Sequence, residues 1–239
     1  MMMVKIYVCS WVLLLSLFGC IKQSNKNVQE GKEIVSVSKE DEQNVLKIAE
    51  KWVALEAEKY LFETYTSNPN DSSKMLIEHG QAQKYSREET TDEIRYSANI
   101  GDNAYSISKN QFLKGDLDGD SREDILVAVT VEFGNNGTYT NEYLFLNKKS
   151  GFVLANVFSP NEIASKNIKD KKLLYAHGIF SKIEENCIIG SSNYSGENDE
   201  LCCPSYYCEI QKYRYNEKTK KLELVFQSEI KKRPMKGEK

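Results

Sequence analysis

The residues best placed to do chemistry lie in one short run, Gly115-Asp116-Leu117-Asp118-Gly119-Asp120-Ser121-Arg122-Glu123-Asp124. Counted from Asp116, carboxylates fall at positions one, three, five and nine, and the backbone carbonyl of Arg122 falls at position seven. Alternate spacing in a tight loop turns several carboxylates toward one point. Negative charges gathered there repel each other unless a cation joins them, and an all-oxygen donor set suits calcium. Position twelve, where an EF-hand needs Glu, is Val127, which excludes that motif. The competing reading is an acidic hairpin loop with no metal. With a metal bound, such a loop is a structural clip rather than a catalytic site.

A strand must hold this loop, and Ile125-Leu126-Val127-Ala128-Val129 begins directly after Asp124. From Phe112 to Thr130 the arrangement resembles the calcium loops in the β-propeller repeats of integrin α chains and similar FG-GAP-like proteins, where an Asp-x-Asp-x-Asp-x-x-x-Asp loop joins two antiparallel strands. The resemblance implies that Asp116, Asp118, Asp120 and Asp124 are side-chain ligands and that Arg122 gives its carbonyl. Position six is Ser121 where that family commonly has Gly, and Gly119 stands at position four. One copy is present, so a propeller is not implied.

The N-terminus sets the compartment. Lys5 is followed by the uncharged run Ile6–Phe18, with Trp11-Val12-Leu13-Leu14-Leu15 at its centre. This is short of the roughly 20 apolar residues a permanent span needs and fits the apolar region of a secretory signal. Leu17-Phe18-Gly19-Cys20 resembles the lipobox of bacterial lipoprotein precursors. The resemblance implies cleavage before Cys20, a lipid on its thiol (diacylglycerol, with palmitate-type acyl chains) and attachment of the mature chain to a membrane. Ile21 rather than Asp after the cysteine implies the outer membrane in a Gram-negative host; in a Gram-positive host the anchor is the outer face of the plasma membrane.

An exported domain is also where disulfides persist. Beyond Cys9 and Cys20, four cysteines remain: Cys187, Cys202, Cys203 and Cys208. Their even number suggests two bridges. A vicinal Cys202–Cys203 bridge is disfavoured by strain, which leaves Cys187 bonded to one of that pair and Cys208 to the other. Zinc would want Cys-x-x-Cys spacing, which is absent. The polar run Gly190–Glu200 reads as an exposed loop pinned at its base. Glu200–Ser205 resembles a Cys-Cys-Pro-Ser motif of assorted small exported bacterial proteins, which names no activity.

The organisation that follows has four parts: a lipoprotein signal peptide over 1–19, a polar flexible tether over 20–38, one domain over 39–230, and a basic flexible tail over 231–239. Loss of Lys5 with the leader takes the net charge from −3 to −4. That mildly acidic balance gives no electrostatic reason to expect nucleic acid. Ser38 reads as a helix N-cap with Glu40, Asp41 and Glu42 in the first turn. Val45, Ile48, Ala49, Trp52, Val53, Ala57 and Tyr60 recur at helical spacing, which predicts a long helix from about Lys39 to Tyr65, stopped at Asn68-Pro69-Asn70-Asp71. Lys74–Gly80 reads as a short second helix.

Short β-like runs follow at Glu93–Ile100, Ala104–Leu113, Asp124–Phe133, Thr138–Asn147, Gly151–Phe158, Leu173–Ile183, Tyr206–Tyr215 and Lys221–Ser228. Gly134-Asn135-Asn136-Gly137 marks one hairpin and Asn216–Lys220 another. The expected class is α+β: a long N-terminal helix packed on an antiparallel sheet in a single domain.

Catalytic signals are sparse. There are two histidines; His79 precedes Gly80 at an expected helix end, and His177 lies in an apolar strand. No nucleophile elbow, zinc-protease helix or phosphate-cradling glycine loop is present. Tyr206, Tyr207, Tyr213 and Tyr215 could line a binding face, though strand propensity explains them too. Two function classes fit: a non-catalytic envelope lipoprotein that binds protein or glycan with a calcium-stabilised loop, or an envelope hydrolase whose catalytic carboxylates the sequence does not single out.

Overall fold

A computed structural model describes residues 34–67, 86–97, 103–133, 137–199 and 203–233. The expected signal peptide, Cys20, most of the expected tether, the segment 74–80 expected as a helix, His79, residues 134–136 of the expected hairpin turn, Cys202 and the expected tail from Pro234 lie outside the described residues.

Helix α1 spans Lys39–Ser67. Its first turn is closed reciprocally: the Ser38 hydroxyl accepts from the Asp41 N–H at 3.1 Å, and the Asp41 carboxylate accepts from the Ser38 N–H at 3.0 Å. Val45, Ala49, Val53 and Ala57 recur every fourth residue and are buried. Small and β-branched side chains on that stripe bring the helix close to the sheet, whereas Trp52 and Leu55 point to solvent.

The stripe covers an antiparallel meander of β1 (Ser86–Glu89), β2 (Glu93–Ser97), β3 (Asn103–Gly115), β4 (Asp124–Phe133), β5 (Thr138–Lys148) and β6 (Gly151–Phe158), paired in chain order. Ile94, Ile107, Ile125, Val127, Val129, Tyr143 and Phe145 meet the helix. The alternate residues Leu126, Leu144 and Leu146 meet Phe180, Ile188, Tyr213 and Tyr215 of a second sheet. That sheet orders β10 (Lys221–Gln227), β9 (Tyr206–Asn216), β8 (Cys187–Gly196) and β7 (Leu173–Glu184), with β11 (Ile230–Lys232) pairing on β9 beyond β10. A short helix α2 (Pro160–Lys166) joins the sheets; the Ser159 hydroxyl caps the Glu162 N–H at 3.4 Å, and a proline starts the first turn.

The α+β expectation of a long helix on one antiparallel sheet is therefore corrected. The protein is mostly β, with two antiparallel sheets of six and five strands. The physical reason lies in β4 and β5. Ile125–Val127 and Tyr143–Leu146 are buried without interruption, because helix and second sheet cover opposite faces. A continuous apolar run marks a strand buried on both faces, where alternation would mark one covered face.

The exposed loop expected at Gly190–Glu200 is also corrected: Cys187–Gly196 is β8, between β7 and β9. Its polar residues are small, and the buried Ser192 hydroxyl bonds the Gln211 side chain at 2.5 Å. A Cβ at Gly190 would stand 2.6 Å from the Ile179 carbonyl oxygen, so a larger residue does not fit.

Gly178 on β7 is as closely set beneath α2. A Cβ there would collide with the Pro160 carbonyl and lie 3.2 Å from the Ala164 methyl, while the Gly178 N–H donates to the Asn161 side chain at 2.9 Å. Backbone cannot yield as a side chain can, so Gly178→Ala is expected to destabilise by about 2 kcal/mol, within the range for overpacking. The measurement is the denaturant midpoint at unchanged slope.

Candidate metal centre

Strand β3 runs into the acidic loop and β4 leaves it, with Gly115 paired to Asp124 at the neck. Within the loop the carboxylates bind backbone. Asp116 accepts from the Gly119 N–H at 2.7 Å and the Ser121 N–H at 2.9 Å, Asp118 from the Asp120 N–H at 3.1 Å, and Asp120 from the Arg122 N–H at 3.0 Å. Ser121 takes a left-handed φ of 72° at the position where the resembling loops commonly have glycine. This winding brings one carboxylate oxygen from each of Asp116, Asp118 and Asp120 within 4.8 Å of the others. Three hard anionic donors at that separation match an oxygen-liganded divalent cation.

Asp124, expected as a ligand, is not part of that group. It is fully buried, and its two oxygens accept from the Leu117 N–H at 2.8 Å and the Asn147 N–H at 2.9 Å. Burial pushes its pKa up to about 7 against the pull of those two N–H groups, and the charges of Asp118 and Asp116 add to the rise. Asp124 ties the loop's neck to β5. Arg122, expected to give its carbonyl, forms an isolated parallel bridge with Val35. The Val35 N–H donates to the Ser121 carbonyl at 2.9 Å, the Glu123 N–H to the Val35 carbonyl at 3.0 Å, and the Val37 N–H to the Glu123 carboxylate at 2.8 Å. Residues Ile34–Val37, read from sequence as the end of the tether, are thus laid along the loop.

Lys148 at the end of β5 contacts the Asp118 carboxylate directly and Glu217 at 3.1 Å. The Asp118 side chain is 3% exposed. Burial acts against the ammonium charge, but the two carboxylates outweigh it and raise the lysine's pKa. Beside this pair opens a cleft of about 580 Å³, lined by Leu117, Asp118, Gly119, Arg214, Tyr215 and Glu223 among others. Lys148 has no signal in the sequence as a site residue, whereas Tyr215 is one of the four tyrosines read as a possible binding face; the β4–β5 pairing brings Lys148 to the loop, and packing against Leu117 brings Tyr215.

No protein-family model, curated protein or solved structure matches the chain. The site therefore stands on its own geometry. Asp124 and Glu142 are the carboxyls whose pKa is pushed up to about 7, and neither lines the cleft, so the described residues do not assemble a raised-pKa acid pair in it. His177 lies half-buried with its ring 4.8 Å from that of Tyr175. Of the clustered tyrosines, Tyr213 and Tyr215 belong to the core between the sheets.

The cysteines do not fit the expected pairing. Cys187 sits opposite Arg214 at one end of β8, and Tyr194 sits opposite Tyr206 at the other. Cys203, just before Tyr206, is thus removed from Cys187 by most of a strand, at about 3.3 Å per residue, whereas a bridge needs Cα atoms within about 7 Å. Cys187 is a buried free thiol. Cys208 is another, its sulfur 3.3 Å from the Ser228 hydroxyl.

Proposed function

We propose that this chain is a lipid-anchored extracytoplasmic module, non-catalytic, whose acidic loop holds a structural calcium ion and whose surface serves a protein or glycan partner in the cell envelope. The convergence of the Asp116, Asp118 and Asp120 carboxylates within 4.8 Å carries the calcium assignment. Asp116, Asp118 and Asp120 supply side-chain oxygens, and calcium would supply the positive charge that lets three carboxylates share one loop. The lipobox Leu17–Cys20 supports the anchor, and an extracytoplasmic setting supplies calcium at the concentrations for which such modules are tuned.

Calcium at tenfold excess over its dissociation constant is expected to stabilise the full chain by about 1.4 kcal/mol. For a domain of this size that is a rise in Tm of about 3–6 °C, read by thermal melts in millimolar calcium against chelator. An unchanged Tm would remove the metal from this reading.

A further inference from the structure

We infer that Lys148 is an internal counter-ion that competes with the loop's cation for Asp118, so that the loop exchanges between a lysine-closed state and a cation-bound state. This rests on the calcium reading of the same loop and adds how occupancy is controlled.

Three observations converge on Asp118. Its side chain is 3% exposed, and its carboxylate already carries the Lys148 ammonium. Its other oxygen accepts the Asp120 N–H at 3.1 Å. A divalent cation joining Asp116, Asp118 and Asp120 would stand close to that ammonium with little water between them, and like charges at such range repel strongly in a partly buried site. The ammonium must therefore leave as the cation arrives. Glu217, 3.1 Å from the lysine, remains as its partner when Asp118 turns to the cation.

The third observation is Tyr215. Its hydroxyl is buried without a hydrogen-bond partner, on a residue that shares the cleft with Asp118. The charges of Lys148, Asp118 and Asp124 all act on that hydroxyl. A buried hydroxyl left unpaired marks a place where a polar partner belongs. An ammonium saturated by two carboxylates does not supply it. A hydrated cation on Asp118 would, because its water enters the cleft that Asp118 and Tyr215 share.

The test is isothermal titration of the full chain with calcium, comparing wild type, Lys148→Met, Lys148→Gln and Lys149→Met. Lys149 is the exposed neighbour and controls for the general loss of one positive charge. Lys148→Met and Lys148→Gln are expected to bind calcium at least about tenfold more tightly than wild type, and Lys149→Met within about threefold of it. Folding of each variant is checked by its melting transition, and the Gln variant stands in if the Met variant is perturbed. Equal affinities in the Lys148 and Lys149 variants, or weaker binding without Lys148, overturn the competition while leaving the calcium site intact. No binding in any of the four proteins overturns the calcium reading itself.

Discussion

Replacing Asp124 with alanine is expected to lower stability by about 3 kcal/mol, and replacing it with asparagine by about 1 kcal/mol. The carboxylate is fully buried and holds two backbone N–H groups from different elements, Leu117 in the loop and Asn147 on β5. Alanine strips both acceptors at once. Each buried donor left unpaired costs about 1–3 kcal/mol, and the space left behind adds to the loss. Part of this is offset, because the native carboxyl is itself strained by burial, as its pKa of about 7 records. Asparagine keeps one carbonyl acceptor and carries no charge to desolvate, so it retains one bond and sheds the burial penalty. Urea denaturation of both variants at neutral pH measures the order. Equal losses would mean that the paired N–H groups do not govern the loop's neck.

That role for Asp124 shows where sequence reading reaches its limit. The spacing of Asp116, Asp118 and Asp120 encodes a local winding, and local winding is what alternate residues in a tight loop determine. Their convergence was therefore legible. Asp124 differs because its partners are set by strand pairing: Asn147 comes from β5, a neighbour only through the hairpin that aligns Ile125 with Phe145. Lys148 follows the same route to Asp118. Spacing alone could not tell a ligand from a buried staple, since both are carboxylates in the same loop.

The same distinction runs through the fold. The ends of β4 and β6 were readable because turn residues and apolar runs bound them. β8 was not, because Gly190, Ser191, Ser192, Asn193 and Ser195 have the composition of a surface loop. They lie instead in a strand where neighbouring backbone approaches closely and Gln211 satisfies a buried hydroxyl. Once β8 is a strand, the Cys187–Cys203 bridge that the even cysteine count allowed is ruled out, because strand register fixes Cys187 far from Cys203. The second sheet then follows, and with it the change of class, since the β4 and β5 residues that face away from α1 need something to cover them.

Glu142 gives the most direct test of that covering. It lies on β5, opposite Ala128 and Phe158, on the face that Leu144 and Leu146 turn to the second sheet, and it is 6% exposed. Burial alone raises its pKa from the ordinary 4.5 to about 7, with no charge or hydrogen bond set against it. Because the folded value lies above the unfolded one, the folded state favours the protonated acid. Below pH 4.5 the acid is neutral in both states and the group imposes no penalty for charge. Between pH 4.5 and 7 the unfolded chain ionises while the folded one does not, so stability falls as pH rises. Above pH 7 the loss is complete, about 3 kcal/mol for a difference of this size.

Glu142→Gln removes the titration and leaves a neutral side chain of the same shape. The stability difference between variant and wild type is therefore expected to shift by about 3 kcal/mol in the variant's favour from pH 4 to pH 8. The amide's own burial cost is constant across that range and drops out of the comparison, as does any titration of Asp124, which both proteins share. The measurement is the unfolding free energy of each protein at a series of pH values. Curves that run parallel from pH 4 to pH 8 would show that water reaches Glu142, and that the second sheet does not close over β5 at that position.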